Sequence, residues 1–548
     1  MTPPAPTPGD TALRRVATDS MVGSLWTMVS RVTGMVRIVA VAAVLGPTQF
    51  ANLYQAANTV PNLLLELLIG TLFGSLLVPA LVRHFDAGDG AAAARLASGF
   101  LVLAVGAGLA LVAVAILAGP LIVDVLTAEV PDHTDMTPKG PAWLLLSLLL
   151  LQVPLYLWVG VSIALQQSRG RFGLAAGAPS VENLAIIVVL GVYVVLFGTG
   201  APQGRGLAEV ALLGGGTTLA VLAHAAVQGW GARRAGAVLA PAWNGWRDPE
   251  VRGIVRLAVP SIGYASLTVA RHVCLLVVAA AVPGGVIAMG IAWAVYMLPA
   301  ALTARPVAQA SLPHLSRHFH SRDDLGYSRS FDQNLRLTLF FAVPAAVAFA
   351  TLSGPLATAL AFGDMATPGG RELLQYAMLG ISFGVIGQSA MDFATVAAYA
   401  RRDARRPLRA VALRTGVGVA GMLAALAVLD GPVVMLGIGL SVAASDVVAG
   451  SYLCWALRRP LPGRGRSLVR PLGRTVLAGL AMIPVVILLR VVLGPPSGQV
   501  DGVLVTVLAG LAGAVTYLGV QWALRSPEIA GFLSLLPGRR RTVGADHG

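Results

Sequence analysis

The chain alternates long apolar runs with short polar stretches. Windows of about 20 apolar residues, the length that crosses a bilayer as a helix, predict spans at 20–45, 53–82, 92–117, 141–166, 173–198, 207–229, 254–281, 284–311, 333–360, 372–399, 408–429, 432–457, 471–494 and 501–524. The pattern therefore predicts an all-α polytopic membrane protein of about 14 transmembrane helices. The second and eighth runs are long enough to be tilted, broken or partly interfacial. Residues 1–19, rich in Pro and Thr, read as a disordered cytoplasmic leader. The segment that follows is too long and too arginine-marked for a cleaved signal peptide.

Composition sharpens this picture. With 548 residues, 12% of them charged, and a mean hydropathy of +0.76, the chain is excluded from the soluble globular class, in which roughly one residue in four is charged. The net charge of +14 does not point to nucleic acid, because the basic residues are spread through short loops rather than gathered on one domain. Cys274 and Cys454 both lie in apolar runs, which leaves no disulfide framework and no paired-cysteine metal site.

The loop charges report topology. Arginines gather in alternate loops, at Arg83, Arg169, Arg171, Arg233, Arg234, Arg317, Arg322, Arg401, Arg402, Arg458 and Arg459, and in the tails at Arg14, Arg15, Arg539, Arg540 and Arg541. The opposite loops hold little beyond Lys139, Arg205 and Arg371. Cytoplasmic loops carry the arginine excess, so both termini are expected in the cytoplasm.

The first span carries the most unusual chemistry. On a helix of 100° per residue, Ser20, Gly23, Ser24, Thr27, Ser30, Arg31, Gly34 and Arg37 share one arc, and Val22, Leu25, Val29, Val32, Val36 and Ala40 lie opposite. One face is small and cationic; the other suits lipid. Arg31 and Arg37 are rooted about 9 Å apart along the axis, a ladder that can follow a phosphate-rich head group. The alternative is that both arginines pair with buried acids.

A repeat is also visible. Val78-Pro-Ala-Leu-Val-Arg-His-Phe85 recurs as Leu312-Pro-His-Leu-Ser-Arg-His-Phe319, and Ala164 and Arg171 map onto Ala398 and Arg405 at the same offset. Six helices return the chain to the same side, so the halves are read as parallel repeats about an axis along the membrane normal. The expected organisation is a leader (1–19), an N-lobe of helices one to six (20–229), a cytoplasmic linker (230–253), a C-lobe of helices seven to twelve (254–457), helices thirteen and fourteen (458–524) and a cytoplasmic tail (525–548). Two pseudo-symmetric six-helix lobes around a central cavity are the architecture of an alternating-access transporter.

Several motifs, taken in order, resemble a known family. Ser30-Arg-Val-Thr-Gly-Met-Val-Arg37, Leu45-Gly46 and Val60-Pro-Asn-Leu-Leu64 are similar to the opening helices of the MurJ (MviN) lipid II flippases, members of the multidrug and polysaccharide exporter superfamily. The likeness continues through Ala164-Leu-Gln166, Arg171-Phe172, Ala178-Pro179, Asn183, Leu212-Leu-Gly-Gly215, Leu298-Pro299, Ser311-Leu-Pro313, Ala398-Tyr-Ala400, Asp403 and Pro407. The resemblance implies transport of an undecaprenyl-pyrophosphate-linked disaccharide peptide, lipid II, from the cytoplasmic to the outer leaflet of a bacterial plasma membrane for peptidoglycan synthesis. It implies first-helix arginines that bind pyrophosphate and a groove for the lipid tail at the last two helices. Carried over residue by residue, it makes Ser30, Arg31, Arg37 and Asn62 candidate substrate ligands. Cell-wall synthesis proteins are expected partners, beside the membrane lipids.

Some family charges are replaced. Asn52 stands for an aspartate, Leu65 and Ala294 for arginines, and Gly70 for a glutamate. These changes put the identity of the head group in question more than flipping itself. Arg271, in a locally polar patch with His272, is the candidate second-lobe phosphate ligand, the alternative being an ion pair with Glu66, Glu182 or Asp392. Intramembrane acids are functional candidates, so Glu66, Glu182 and Asp392 are candidate ion or proton sites. Interhelical hydrogen bonding is the competing role for each. No cofactor is expected beyond coupling to membrane potential or a cation, and no metal site.

Enzyme chemistry finds no support: there is no phosphate-binding Gly-rich loop ending in Lys and Ser/Thr and no His-Glu-x-x-His pair. Beside a lipid II flippase stand three alternatives: a flippase for another polyprenyl-linked glycan, a transport-inactive paralogue within a cell-wall complex, and a drug or cation antiporter. The arginine ladder argues against the last, which needs an acidic, aromatic cavity.

Overall fold

In the computed structural model, residues 8–68, 73, 76–126, 139–200, 207–236, 238–240, 242–461 and 466–529 are described, and every regular element among them is helical. The expected all-α membrane architecture is observed. Among the described residues, eleven helices are long and apolar enough to cross a membrane, or twelve when one bent pair is taken as a single span. The chain divides into two compact units, residues 1–291 with 362–366, and residues 292–361 with 367–548.

The first unit begins with α1 (Pro8–Leu45), which starts inside the stretch expected to be a disordered leader. A proline at the first helical position and Asp10 in the first turn are favourable helix-start residues, followed by the strong helix formers Ala12, Leu13, Arg14 and Arg15. Residues 1–7 of that leader lie outside the described residues. The chain continues through α2 (Gln49–Leu68), α3 (Val78–Asp86), α4 (Gly90–Leu117), α5 (Gly119–Leu126), α6 (Lys139–Leu150), α7 (Gln152–Ser168), α8 (Phe172–Gly177), α9 (Pro179–Phe197), α10 (Leu207–Arg234) and α11 (Pro249–Ala280). Asn52 ties α2 to the end of α11: its Nδ2 donates to the Val282 carbonyl (2.7 Å) and its Oδ1 accepts from the Val286 amide (2.9 Å). A neutral amide fits that pair of partners, one acceptor and one donor, better than the aspartate of the family pattern. Gly284 packs beside it at φ +74°, where a Cβ would lie 2.4 Å from Pro47 Cα, so only glycine suits the turn.

The second unit takes in α12 (Gly285–Pro299), which begins in the first, then α13 (Arg305–His320), α14 (Asp324–Thr351), α15 (Ser353–Leu360), α16 (Pro368–Ile381), α17 (Gly384–Ala400), α18 (Arg405–Val428), α19 (Val433–Arg458), α20 (Arg466–Leu493) and α21 (Gln499–Ala523). The tenth expected span is the bent pair α16–α17, turned by 46°. It packs on α19 through glycine. A Cβ on Gly387 would lie 2.2 Å from the Val447 nitrogen and one on Gly439 2.7 Å from the Gly380 carbonyl carbon, the close backbone approach that small residues permit between membrane helices. Helices α20 and α21 pair with each other and with α14, where Phe340, Val347, Ala478, Met482 and Tyr517 form a buried cluster.

The two spans expected to be tilted, broken or partly interfacial both contain π-helical residues. The eighth runs as α12, a π-helical turn at Ala300–Ala304, and α13. In the second, π-helical residues at 73 and 76–77 stand between α2 and α3. The repeat reaches the hydrogen bonds. At the end of α3 the amides of Ala87, Gly88 and Asp89 donate to Arg83, Phe85 and His84, and the Asp89 side chain caps α4. At the offset separating Val78 from Leu312, the amides of Ser321, Arg322 and Asp323 donate to Arg317, Phe319 and His318, and Asp323 caps α14. After the fourth and tenth spans the match shifts by two residues. The amides of Arg169, Gly170 and Arg171 donate to Gln166, Gln167 and Gln166; those of Arg401, Arg402 and Asp403 donate to Ala398, Tyr399 and Ala398. Ala398 therefore corresponds to Gln166 rather than to Ala164, and α7 and α17 coincide end to end.

Candidate functional site

The apolar face expected on α1 is exposed: Val22, Leu25, Val29, Val32 and Val36 all face outward. The small, polar face packs against α8 and α9. Gly34 leaves room for Asn183 of α9, whose Nδ2 donates to the Ser30 carbonyl (3.3 Å) and to Thr33 Oγ1 (3.1 Å). One turn further along α1, the Arg37 guanidinium reaches Glu182 at 3.4 Å. Arg31 is exposed and makes no ion pair among the described residues. The two arginines thus take different roles, one bound to an acid and one open.

Glu182 is buried and fully engaged. Its Oε1 accepts from the Tyr156 hydroxyl (2.9 Å) and Arg37, and its Oε2 lies 2.8 Å from His224 Nδ1 of α10. A carboxylate at this depth persists because three partners, one of them the Arg37 cation, replace its water. Asn62, whose Nδ2 donates to the Asn58 carbonyl (2.9 Å), sits beside Tyr156. Arg37, Asn62 and Glu182 are therefore brought to one site, joined by Tyr156 and His224, whereas Ser30 lies about two turns from Arg37 along α1 with its carbonyl bonded by Asn183.

The second unit holds a counterpart. Arg414 of α18 donates to Asp446 of α19 (2.5 Å) and to Gln388 of α17, and Asp446 also accepts from Tyr296. Under the corrected offset Glu182 corresponds to Arg414 and Tyr156 to Gln388, so equivalent positions carry opposite buried charges. Asp392 is bonded by Gln388 (2.7 Å) and paired with Arg305 (3.5 Å). Arg271 is buried on α11. The side chains of Leu65 and Glu66, and Gly70, lie outside the described residues.

Sequence reasoning missed His224 and Tyr156. His224 is the only ionisable residue between Glu209 and Arg233 in an apolar span, a signal as strong as the acids that were singled out. The second unit also holds a cavity of about 590 Å³ among α14, α17, α19 and α20, lined by Leu335, Leu339, Val447 and Trp455, with Arg458 and Arg459 among its walls.

The model of the family "Lipid II flippase MurJ" matches residues 41–508 of this chain. The chain belongs to the MurJ family. Curated relatives named "Probable lipid II flippase MurJ" include one from Vibrio cholerae, 28% identical over 73% of this chain and 75% of the relative, and one from Haemophilus influenzae, 26% identical over 70% and 76%. Among solved structures, the fold is shared with a lipid II flippase MurJ in an inward closed conformation (TM-score 0.70, 18% identity, 92% of this chain and 99% of that one). It is shared more distantly with an inward-facing multidrug resistance MATE transporter (TM-score 0.57, 16% identity, 81% and 94%). This is a multi-pass membrane protein of a transporter family.

Proposed function

We propose that the chain moves lipid II, the polyprenyl-pyrophosphate-linked peptidoglycan precursor, from the cytoplasmic to the outer leaflet by alternating access. The observation that carries this reading is the cationic face of α1, with Arg31 open and Arg37 part-exposed, about 9 Å apart along the axis, on a chain of the MurJ family. A pyrophosphate diester presents two anionic groups, and arginine binds such oxygens through paired N–H donors. Ser30 and Asn62 complete the head-group site, and Arg271 serves a phosphate from the second lobe. The apolar cavity among α14, α17, α19 and α20 takes the polyprenyl tail.

The same reading puts both termini in the cytoplasm and divides the chain into lobes at 20–229 and 254–457, with 458–524 as an appendage. Glu182 and Asp392, with Glu66, are its ion or proton coupling candidates, and cell-wall synthesis proteins its partners. The test is replacement: in cells depleted of their resident lipid II flippase, this chain restores growth, and Arg31→Ala with Arg37→Ala does not. Failure of the folded, inserted wild-type chain to restore growth would favour another polyprenyl-linked glycan or a non-transporting paralogue, as the exchanged charges at Asn52 and Ala294 suggest.

A further inference from the structure

The hydrogen-bond wiring around Glu182 fixes where its protons sit. Gln166 Nε2 donates to the carbonyls of Ser162 (3.2 Å) and Gln228 (3.3 Å), which orients that amide, and it also donates to Gln228 Oε1 (2.7 Å). Gln228 must then turn its Nε2 toward the Ala175 carbonyl (3.2 Å) and His224 Nε2 (3.4 Å). A ring nitrogen facing an amide N–H is an acceptor, so the imidazole carries its proton on Nδ1 and gives it to Glu182. As wired, the Glu182–His224 dyad bears one negative charge, and Arg37 is its counter-ion.

The other groups facing the dyad, among the described residues, do not supply that charge. They are the hydroxyls of Tyr156 on α7 and Tyr54 on α2, the latter bonded to Thr217 (2.7 Å), together with the Gln228 amide and the Ala175 carbonyl. Glu209, on the same helix as His224, is about four turns away. One proton added anywhere on the dyad brings its charge from −1 to zero. Among the described residues Arg37 then has no ion-pair partner, and it can bind an exogenous anion.

We propose that Glu182 and His224 form a proton-binding site that exchanges Arg37 between an internal carboxylate and the pyrophosphate of the transported lipid, so that one proton is taken up with each lipid bound. This rests on the lipid II reading above. The linkage is reciprocal: the proton releases Arg37 to the phosphate, and a phosphate that captures Arg37 leaves a buried carboxylate unpaired, which draws a proton onto the dyad.

The experiment uses the full chain in nanodiscs with lipid II as the probe; its pyrophosphate is a diester and stays fully ionised around neutral pH. Binding is measured between about pH 6 and pH 8, and proton uptake is followed in weak buffer with an indicator dye. The wild type is expected to take up about one proton per lipid, and its affinity to tighten by up to about tenfold for each pH unit lowered. Glu182→Gln, which removes the negative charge permanently, is expected to bind with no pH slope and no proton uptake. Arg37→Gln is expected to bind weakly at every pH. Lipid II binding by the wild type without proton uptake, or a pH slope retained in Glu182→Gln, overturns the proton site and leaves the lipid II reading standing. Absence of lipid II binding by the wild type at every pH overturns both. Should Glu182→Gln not fold, the proton count on the wild type decides alone.

Discussion

The buried pair Arg414–Asp446 gives the sharpest energetic prediction. Asp446 is fully buried and Arg414 nearly so, and they meet at 2.5 Å with Gln388 and Tyr296 completing the network. Removing one member deprives the other buried charge of its ion-pair partner, which costs about 3–5 kcal/mol, whereas replacing both by apolar residues of similar volume is often close to neutral. At roughly 2 °C per kcal/mol, Asp446→Leu or Arg414→Met alone lowers the thermal midpoint by about 6–10 °C. The double variant recovers most of that loss. Unfolding of the purified chain in detergent can be followed by tryptophan fluorescence, since Trp293 lies against Tyr296 (ring centroids 5.4 Å apart) and reports on this region directly. Losses in the two single variants that simply add in the double would refute the coupling.

Three further outcomes are expected. Gly387→Val should leave no folded protein by size-exclusion chromatography, because even a Cβ would sit 2.2 Å from the Val447 backbone nitrogen; a monodisperse variant would contradict the packing described for α17 and α19. Asn52→Asp restores the family residue but turns a carboxylate oxygen toward the Val282 carbonyl, so it should cost about 1–3 kcal/mol in thermal stability, and a gain would count against the neutral-amide role. The Asp323 carboxyl is held below the ordinary aspartate range, chiefly by the Gly326 amide and then by His318. Its contribution to folding is therefore complete above the unfolded value of about 3.9 and is lost as pH falls through the lower folded value. Asp323→Ala should lower the midpoint at pH 7 and differ less from wild type in acid, whereas a pH-independent difference would exclude the ionised cap.

Much of this was legible in the chain itself. The rotation of α1 could be read from valines and leucines at helical spacing, because one face of a lipid-exposed helix must be apolar. The second and eighth spans, which hold the π-helical residues, stood out as runs long enough to be tilted, broken or partly interfacial. What could not be read was pairing across the fold. Arg37 and His224 find Glu182 only when α1, α9 and α10 pack, and nothing local distinguishes an arginine bound to an acid from one awaiting a ligand. The repeat was seen from its best-matched segment, but a two-residue change in offset before Gln166 hid the correspondence of Glu182 with Arg414. That correspondence is between opposite charges, which no search for similar residues would find.

The central claim rests on the cationic face of α1. The most direct measurement is the appearance of lipid II in the outer leaflet of cells depleted of their own flippase and supplied with this chain, comparing wild type with Arg31→Ala plus Arg37→Ala at matched membrane levels. The account predicts outer-leaflet lipid II and survival with the wild type and loss of both with the double variant. Equal outer-leaflet lipid II from the two proteins would contradict it.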